Sequence, residues 1–490
     1  MAPPPVLGHR RSPRHRTALA VGGVVAALGL AAVPLGAAEG AVTTLYVGGA
    51  GCSDTGSGTA TVPFCTIAKA AKVAVAGQTV LVSSGTYTDE VFPWHSGTSG
   101  SPIAFRPAPG ASVTISGAKH GFTISNQSWI TVSGFTIQGS TKDGIYVYNA
   151  TGVTLSGNTV STSGQRVSGS TAYGMYLNAM TSSVVSNNLV TNNSASGIFL
   201  TNGSTGNQLV GNESSWNAYG YVRNAVGIDL RSPGNLVKGN RVHDNEDSGI
   251  QSYPGGDNNT IVDNASYHNM GFTTAALTNC SPPPTGNTSG CITGDHGIDD
   301  YGVTGSSVVG NTVVGNVSAG INLEGVADGT STGFTIADNV AVDNAIGCPD
   351  GLGGTVKCPR TRGNIRVDAT SQLGTSLDVD LVNLSTAGTM MVWGATSYAS
   401  LAAFQAASGQ EPNGLQADPL LGNPAGGDLT LRAGSPAIDS ANSNAPGEPS
   451  TDAAGQARVD DPGTPNTGVG VRAYDDRGAY EYQPGTGGTP

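Results

Sequence analysis

Short apolar segments recur along the chain, each opened by glycine and parted by polar turns of Gly, Asn, Ser and Thr. Between about residues 120 and 345 the opening is Gly-Ile or a near relative. It stands at Gly144-Ile145, Gly174-Met175, Gly197-Ile198, Gly227-Ile228, Gly249-Ile250, Gly297-Ile298 and Gly320-Ile321. An Asn precedes a second apolar segment at Asn158, Asn188, Asn212, Asn240, Asn264, Asn311 and Asn339. A further Asn follows five residues later at Asn193, Asn217, Asn245, Asn269, Asn316 and Asn344. The closest spacings are 22–24 residues; the longer ones, 28–30 and 47–48, are that period plus an insertion. A period near 23 with three short strands predicts one coil of a parallel β-helix, an all-β solenoid. One coil cannot bury its apolar face alone, so stacked coils share a column of Ile, Val and Leu. Asn at a fixed turn position is expected to hydrogen-bond from coil to coil.

Strand alternation sorts each Gly-Ile segment by face. Ile145 and Val147, Met175 and Leu177, Ile198 and Leu200, and Ile228 and Leu230 point inward. The outward column reads Tyr146, Tyr176, Phe199, Asp229, Gln251, Asp299 and Asn322; the next reads Tyr148, Asn178, Thr201, Arg231, Tyr253, Tyr301 and Glu324. Early coils therefore offer rings. Middle coils concentrate Asp229, Arg231, Asp247, Gln251, Tyr253, Asp295, His296, Asp299, Asp300 and Tyr301. Rings beside carboxylates suit a sugar chain, as apolar platforms and as acceptors for hydroxyls. A merely solvated polar ladder is the plainer reading of the same residues. Asp300 falls in the inward column beside Leu230 and Leu323, so it is either a buried carboxylate or a bulge turned outward.

Flanking segments differ. Within 42–118, Thr66 to Ala76 predicts a short helix capping the first edge, before a strand at Thr79–Ser83 and a turn at Gly85-Thr86-Tyr87. The helical core spans 119–385, and 386–482 holds final coils and a cap. There, residues 397–408 predict a second helix ending before Gly409, and 416–482 read as terminal strands. Residues 483–490 are a Gly/Thr/Pro tail of disordered composition.

Charge narrows the classes. Only 11% of residues are charged, and the 73 glycines follow no triplet, which excludes a coiled coil and collagen. Arg10, Arg11, Arg14 and Arg16 precede an apolar run from Ala18 to about Ala38, which reads as a signal peptide over 1–38, a retained anchor being the alternative. Its removal takes the net charge from −12 to −16, which excludes an electrostatic nucleic-acid partner. The cysteines fall in close pairs: Cys52 with Cys65, Cys280 with Cys291, and Cys348 with Cys358. In an exported chain these predict three local disulfides rather than metal ligands.

The opening YVGGAGCSDTGSG and PFCTIAKAAKVAVAGQTVLVSSGTY resemble secreted right-handed β-helix proteins of the pectate-lyase-like superfamily, including family 9 polysaccharide lyases. The closing DPLL, GSPAID and GAYEY resemble bacterial cell-surface β-helix proteins of the choice-of-anchor type. The resemblance implies a secreted or cell-surface bacterial protein, monomeric, with a polysaccharide or cell-surface glycan as partner. Family 9 lyases hold calcium on several Asp and use a Lys as base. NEDSGIQ (Asn245–Gln251) is similar to their calcium strand, where Asp247 matches an acid, but Ser248, Gln251 and Val226 depart from the pattern and the Lys position falls near Asp299; Asp247 and Asp295 are the candidate calcium ligands. The candidate catalytic set is Asp229, Arg231, His296, Asp299, Asp300 and Tyr301. The candidate sugar-binding set is Tyr146, Tyr148, Tyr176, Phe199, Gln251, Tyr253 and Glu324. A lyase or C5-epimerase on a uronic-acid glycan fits these groups. An inverting hydrolase using Asp229 and Asp299, or a non-catalytic adhesin, are the alternatives.

Overall fold

The computed structural model describes residues 43–164, 172–218, 225–269, 296–327, 329–346 and 361–485. The leader and Asp295 lie outside them, as do Cys280, Cys291, Cys348 and Cys358. Three long sheets form the body, two of twelve strands and one of eleven, and successive coils contribute one parallel strand to each. The first sheet runs from Thr44–Val47 to Ser376–Asp378, the second from Gly85–Tyr87 to Leu415–Gln416, and the third from Phe122–Ser125 to Thr396–Tyr398. Many strands alternate buried and half-exposed positions, as in Ile130–Ser133 and Thr154–Ser156. The inward Ile, Val, Leu and Phe form one continuous column from Leu45 to Phe404.

Asparagine ladders satisfy the bent backbone at the corners. In each step Nδ2 donates to Oδ1 of the next coil: Asn158 to Asn188 at 3.0 Å, Asn188 to Asn212 at 2.9 Å, and on through Asn240, Asn264 and Asn311 to Asn339. A parallel ladder joins Asn193, Asn217, Asn245, Asn269, Asn316 and Asn344. Every donor points the same way, so the last coil must supply an acceptor. Asp380 does so for the first ladder, receiving Asn339 N–H at 2.8 Å and Nδ2–H at 2.9 Å.

Helix α1 (Ile67–Val73) starts at Thr66, whose hydroxyl caps Lys69 N–H, and it buries Ile67, Ala70 and Ala71 on the first strands. Cys52 and Cys65 form a disulfide in front of it. Of the three expected bridges this one falls within the described residues. The pairing of Cys280 with Cys291 and that of Cys348 with Cys358 fall outside them. Helix α2 (Leu401–Ser408) ends at Gly409, where φ is 70°, a left-handed value that glycine adopts without strain. Its Phe404 meets Trp393 and Tyr398 edge-on at the end of the third sheet. Two expectations change. Gly85–Tyr87 is a strand of the second sheet, not a turn. Residues 416–482 are mostly irregular, with one antiparallel pair, Leu421–Asn423 with Asp428–Leu431.

That last segment folds back over the outer face of the second sheet. Gly478 N–H bonds Asp338 O at 2.7 Å, and Ala479 N–H bonds Thr312 Oγ1 at 2.9 Å. Leu421, Leu429, Leu431 and Ile438 pack on Tyr267, Val314, Val340 and Val342. The clamp also buries many carboxylates. Burial raises Asp439 to about 6, Glu481 to about 7 and Asp476 to about 8. Burial likewise raises Asp380 to about 6 and lifts its neighbour Glu411 well above the usual range. Raised carboxyls keep protons in the folded state that the unfolded chain releases. Their contribution is complete below about pH 4 and is lost as pH rises through about 6 to 8. The melting temperature is therefore expected to fall by several degrees between about pH 5 and about pH 8.5 in calorimetry, and a flat or rising profile contradicts this.

Candidate active site

The third sheet's outward columns lie in the expected register. Tyr146 pairs with Tyr176, then Phe199, Asp229, Gln251, Asp299 and Asn322 follow one per coil. Arg366 continues the column. It escaped the sequence pattern because its strand opens with Asn364-Ile365 instead of Gly-Ile.

The rings mostly spend their faces on one another. His120 stacks on Tyr146 at 5.3 Å, Tyr176 on Phe199 at 5.4 Å and Tyr173 on Phe199 at 4.6 Å. Tyr146 and Tyr176 meet at a tilt of 58°. The expected pyranose platform is thus largely a ladder of mutually covered rings, with Tyr148 exposed beside it. Further along, Phe199 and Tyr253 sandwich the Arg231 guanidinium, 5.1 and 4.6 Å from the ring centres, and Tyr253 stacks on Tyr301 at 5.4 Å.

Arg231 holds Asp229 through two bonds of 3.1 Å, from Nε to Oδ1 and from Nη2 to Oδ2. Burial pushes the Asp229 carboxyl up to about 6, against the pull of that guanidinium. Since Arg231 is itself raised by Asp229, the pair is ionised at neutral pH. Arg231 is 40% exposed against 5% for the Asp229 side chain, and its Nη1 edge has no hydrogen-bond partner among the described residues. A fixed, planar donor edge of this kind suits a carboxylate.

Two coils on, Asp299 accepts Gln251 Nε2–H and Asn322 Nδ2–H, each at 2.8 Å, and lies 3.5 Å from His296 Nδ1. Burial opposes its charge, but His296 and the two amides outweigh that and hold the carboxyl below its ordinary value. His296 Nε2 is 2.7 Å from Thr361 Oγ1, and Nδ1 is 3.4 Å from Ser248 Oγ. Arg366 Nη1 donates to Asn322 Oδ1 at 2.6 Å and to Glu324 Oε2 at 3.2 Å. Sequence reasoning missed Arg366 and Thr361, because both follow a long insertion that breaks the period.

Asp300 has no place in the catalytic set. It pairs in register with Ser252 and Leu323, without a bulge, and is fully buried. Neither oxygen makes a hydrogen bond of ordinary geometry among the described residues. Burial pushes it up to about 7, with Asp299 adding like charge and Ser252 relieving it in part. A side chain in the core cannot touch a polymer.

Calcium fits the described residues poorly. Asp229 spends both oxygens on Arg231, Asp299 receives two amides, and Asp247 Oδ1 accepts Ser248 N–H at 2.7 Å. No group of three potential His, Cys, Asp or Glu ligands gathers among the described residues.

Stacked parallel coils define the class as a β-helix solenoid. A family model, the right handed beta helix region, matches residues 120–289, and the fold is a right-handed parallel β-helix. The uncharacterized protein YwoF of Bacillus subtilis (strain 168) is 39% identical over 124 residues, 22% of this chain and 26% of that protein. The match thus spans about a quarter of that relative. The pectate lyase Pel9A is 14% identical, covering 90% of this chain and 98% of its own with a TM-score of 0.49. XylC in complex with xylose is 13% identical, covering 77% and 87% with a TM-score of 0.45. These structural likenesses concern fold alone. No helix among the described residues is long and apolar enough to cross a membrane.

Proposed function

We propose that this chain is an exported enzyme that removes the C5 proton of a uronic-acid residue within a polysaccharide, as a lyase or a C5-epimerase. The observation that supports this is the Arg231 edge, held on two rings and on Asp229, beside the Asp299–His296 couple. Arg231 takes the uronate carboxylate and spreads its charge, which acidifies C5–H. His296, oriented by Asp299, accepts the proton. In elimination the C5–H electrons form the C4–C5 double bond, the C4–O bond breaks, and the leaving oxygen takes a proton. In epimerisation a proton returns to the other face of C5. Tyr253 and Tyr301, two positions along the chain from Gln251 and Asp299, are the donor candidates. Inverting hydrolysis is less well served. It needs one protonated carboxyl, yet Asp229 is bound to a guanidinium and Asp299 is held ionised.

The test is a panel of uronic and neutral polysaccharides. Ultraviolet absorbance of unsaturated products reports elimination, proton NMR reports C5 inversion, and reducing ends without absorbance report hydrolysis. Inactivity on every uronate sinks the enzyme reading in favour of a glycan-binding rod. Arg231→Lys keeps the charge but loses the fork and the stacking, so kcat/KM on a uronate polymer is expected to fall at least about tenfold. An unchanged value would remove Arg231 from the carboxylate site.

A further inference from the structure

The hydrogen-bond partner of His296 Nε2 is one that no periodicity marks. Thr361 lies 65 positions later in the chain, yet its hydroxyl is 2.7 Å from that nitrogen, and both residues are buried. They meet because the intervening coil places a small residue there. Gly249 N–H bonds His296 O, Gly297 N–H bonds Ala319 O, and Gly320 N–H bonds Gly363 O, so Ala319 occupies the column between them. A methyl group leaves room for the imidazole to reach the turn beyond.

Donor and acceptor counting then places the proton of the neutral ring. Nδ1 faces the Asp299 carboxylate at 3.5 Å and the Ser248 hydroxyl at 3.4 Å. The carboxylate only accepts. Ser248 directs its own proton to Asp247 Oδ1 at 3.2 Å and accepts His296 N–H at 3.2 Å. Nδ1 thus meets two acceptors and carries the proton. Nε2 is left with a lone pair, and the hydroxyl beside it must donate.

We propose that Thr361 is a positioning residue for His296: its hydroxyl donates to Nε2 and fixes the imidazole with its proton on Nδ1, toward Asp299. Its catalytic consequence rests on the proton abstraction proposed above. At Nε2 one donor is exchanged for another, the Thr361 hydroxyl in the resting protein and the substrate's C5–H in the complex. A base held in one tautomer needs no proton shift between its nitrogens when the sugar arrives, only the displacement of that hydroxyl.

Histidine-selective nitrogen-15 labelling of the full chain tests the placement, since the sequence has only seven His and His296→Asn assigns the signal. An unprotonated Nε2 is expected in the wild type and in Thr361→Ser, with mixed tautomers in the near-isosteric Thr361→Val. An Nε2-protonated ring in the wild type, or an unaltered spectrum in Thr361→Val, overturns the proposal. On the best uronate polymer Thr361→Val is expected to lose about tenfold or more in kcat with KM within about twofold, and Thr361→Ser to retain most of kcat. Equal losses in both variants overturn it too. The spectra need no turnover, so a protein inactive on every uronate refutes the proposed reaction while the spectra still decide the role of Thr361.

Discussion

Asp299→Asn is expected to abolish turnover while leaving the fold intact. The carboxylate is the only ionised group that meets His296 Nδ1 among the described residues. An amide in its place offers an N–H as readily as an oxygen, so the imidazole loses the charge that orients it and that stabilises its protonated form. Losing the orienting carboxylate of a general base costs about 10²–10⁴ in kcat. The loss cannot be blamed on unfolding. Asn is nearly isosteric, so the cost is limited to the favourable interactions of the ionised carboxylate, one of whose two amide donors loses its acceptor. The melting temperature should fall by a few degrees while the protein stays folded at the assay temperature. Steady-state kinetics on the polymer identified by the panel, beside a thermal melt, checks both halves. A variant retaining more than about a tenth of wild-type kcat would remove Asp299 from the chemistry.

Arg458→Met should release the C-terminal clamp. Arg458 Nη2 lies 3.0 Å from Asp263 Oδ1 and 2.9 Å from Glu448 Oε1, and Nη1 lies 3.1 Å from Glu481 Oε2, with every partner side chain at most 1% exposed. One guanidinium thus joins the corner before Ala265–Tyr267 of the second sheet to two separate points of the clamp. Methionine fills the space and leaves three carboxyls unpaired. Breaking a buried ion pair from one side costs about 3–5 kcal/mol, much of a domain's stability. Faster hydrogen exchange and proteolysis within 436–482 are expected first, with the coils of the early core protected. Protonated carboxyls need no cation, so the defect should be smaller at about pH 5 than at about pH 8. An equal defect at both values would assign the effect to packing instead.

Much of the fold was legible because a coil is a local object. The Gly that opens each strand, the inward Ile and the corner Asn all repeat within one turn of the solenoid. Stacking identical turns fixes register, and so placed Asp229, Gln251, Asp299 and Asn322 in one column. The clamp's footprint was also written there, unread. Thr312–Val314 and Val340–Val342 are buried at every position, which marks strands covered on both faces.

The sequence by itself determined the solenoid, its three faces, the direction of the side chains on the Gly-Ile strands, Asp300 apart, and the column that bears the acids. Each of these follows from periods of 2 and about 23 residues, and a period survives in one dimension. Only the tertiary structure decided the rest. Insertions erase the period, so the meeting of His296 with Thr361 and the place of Arg366 could not be counted along the chain. The return of Arg458 to Asp263, 195 residues away, obeys no repeat at all. Ring orientation likewise depends on neighbours in space, which is why the expected sugar platform proved to be a stack that grips an arginine.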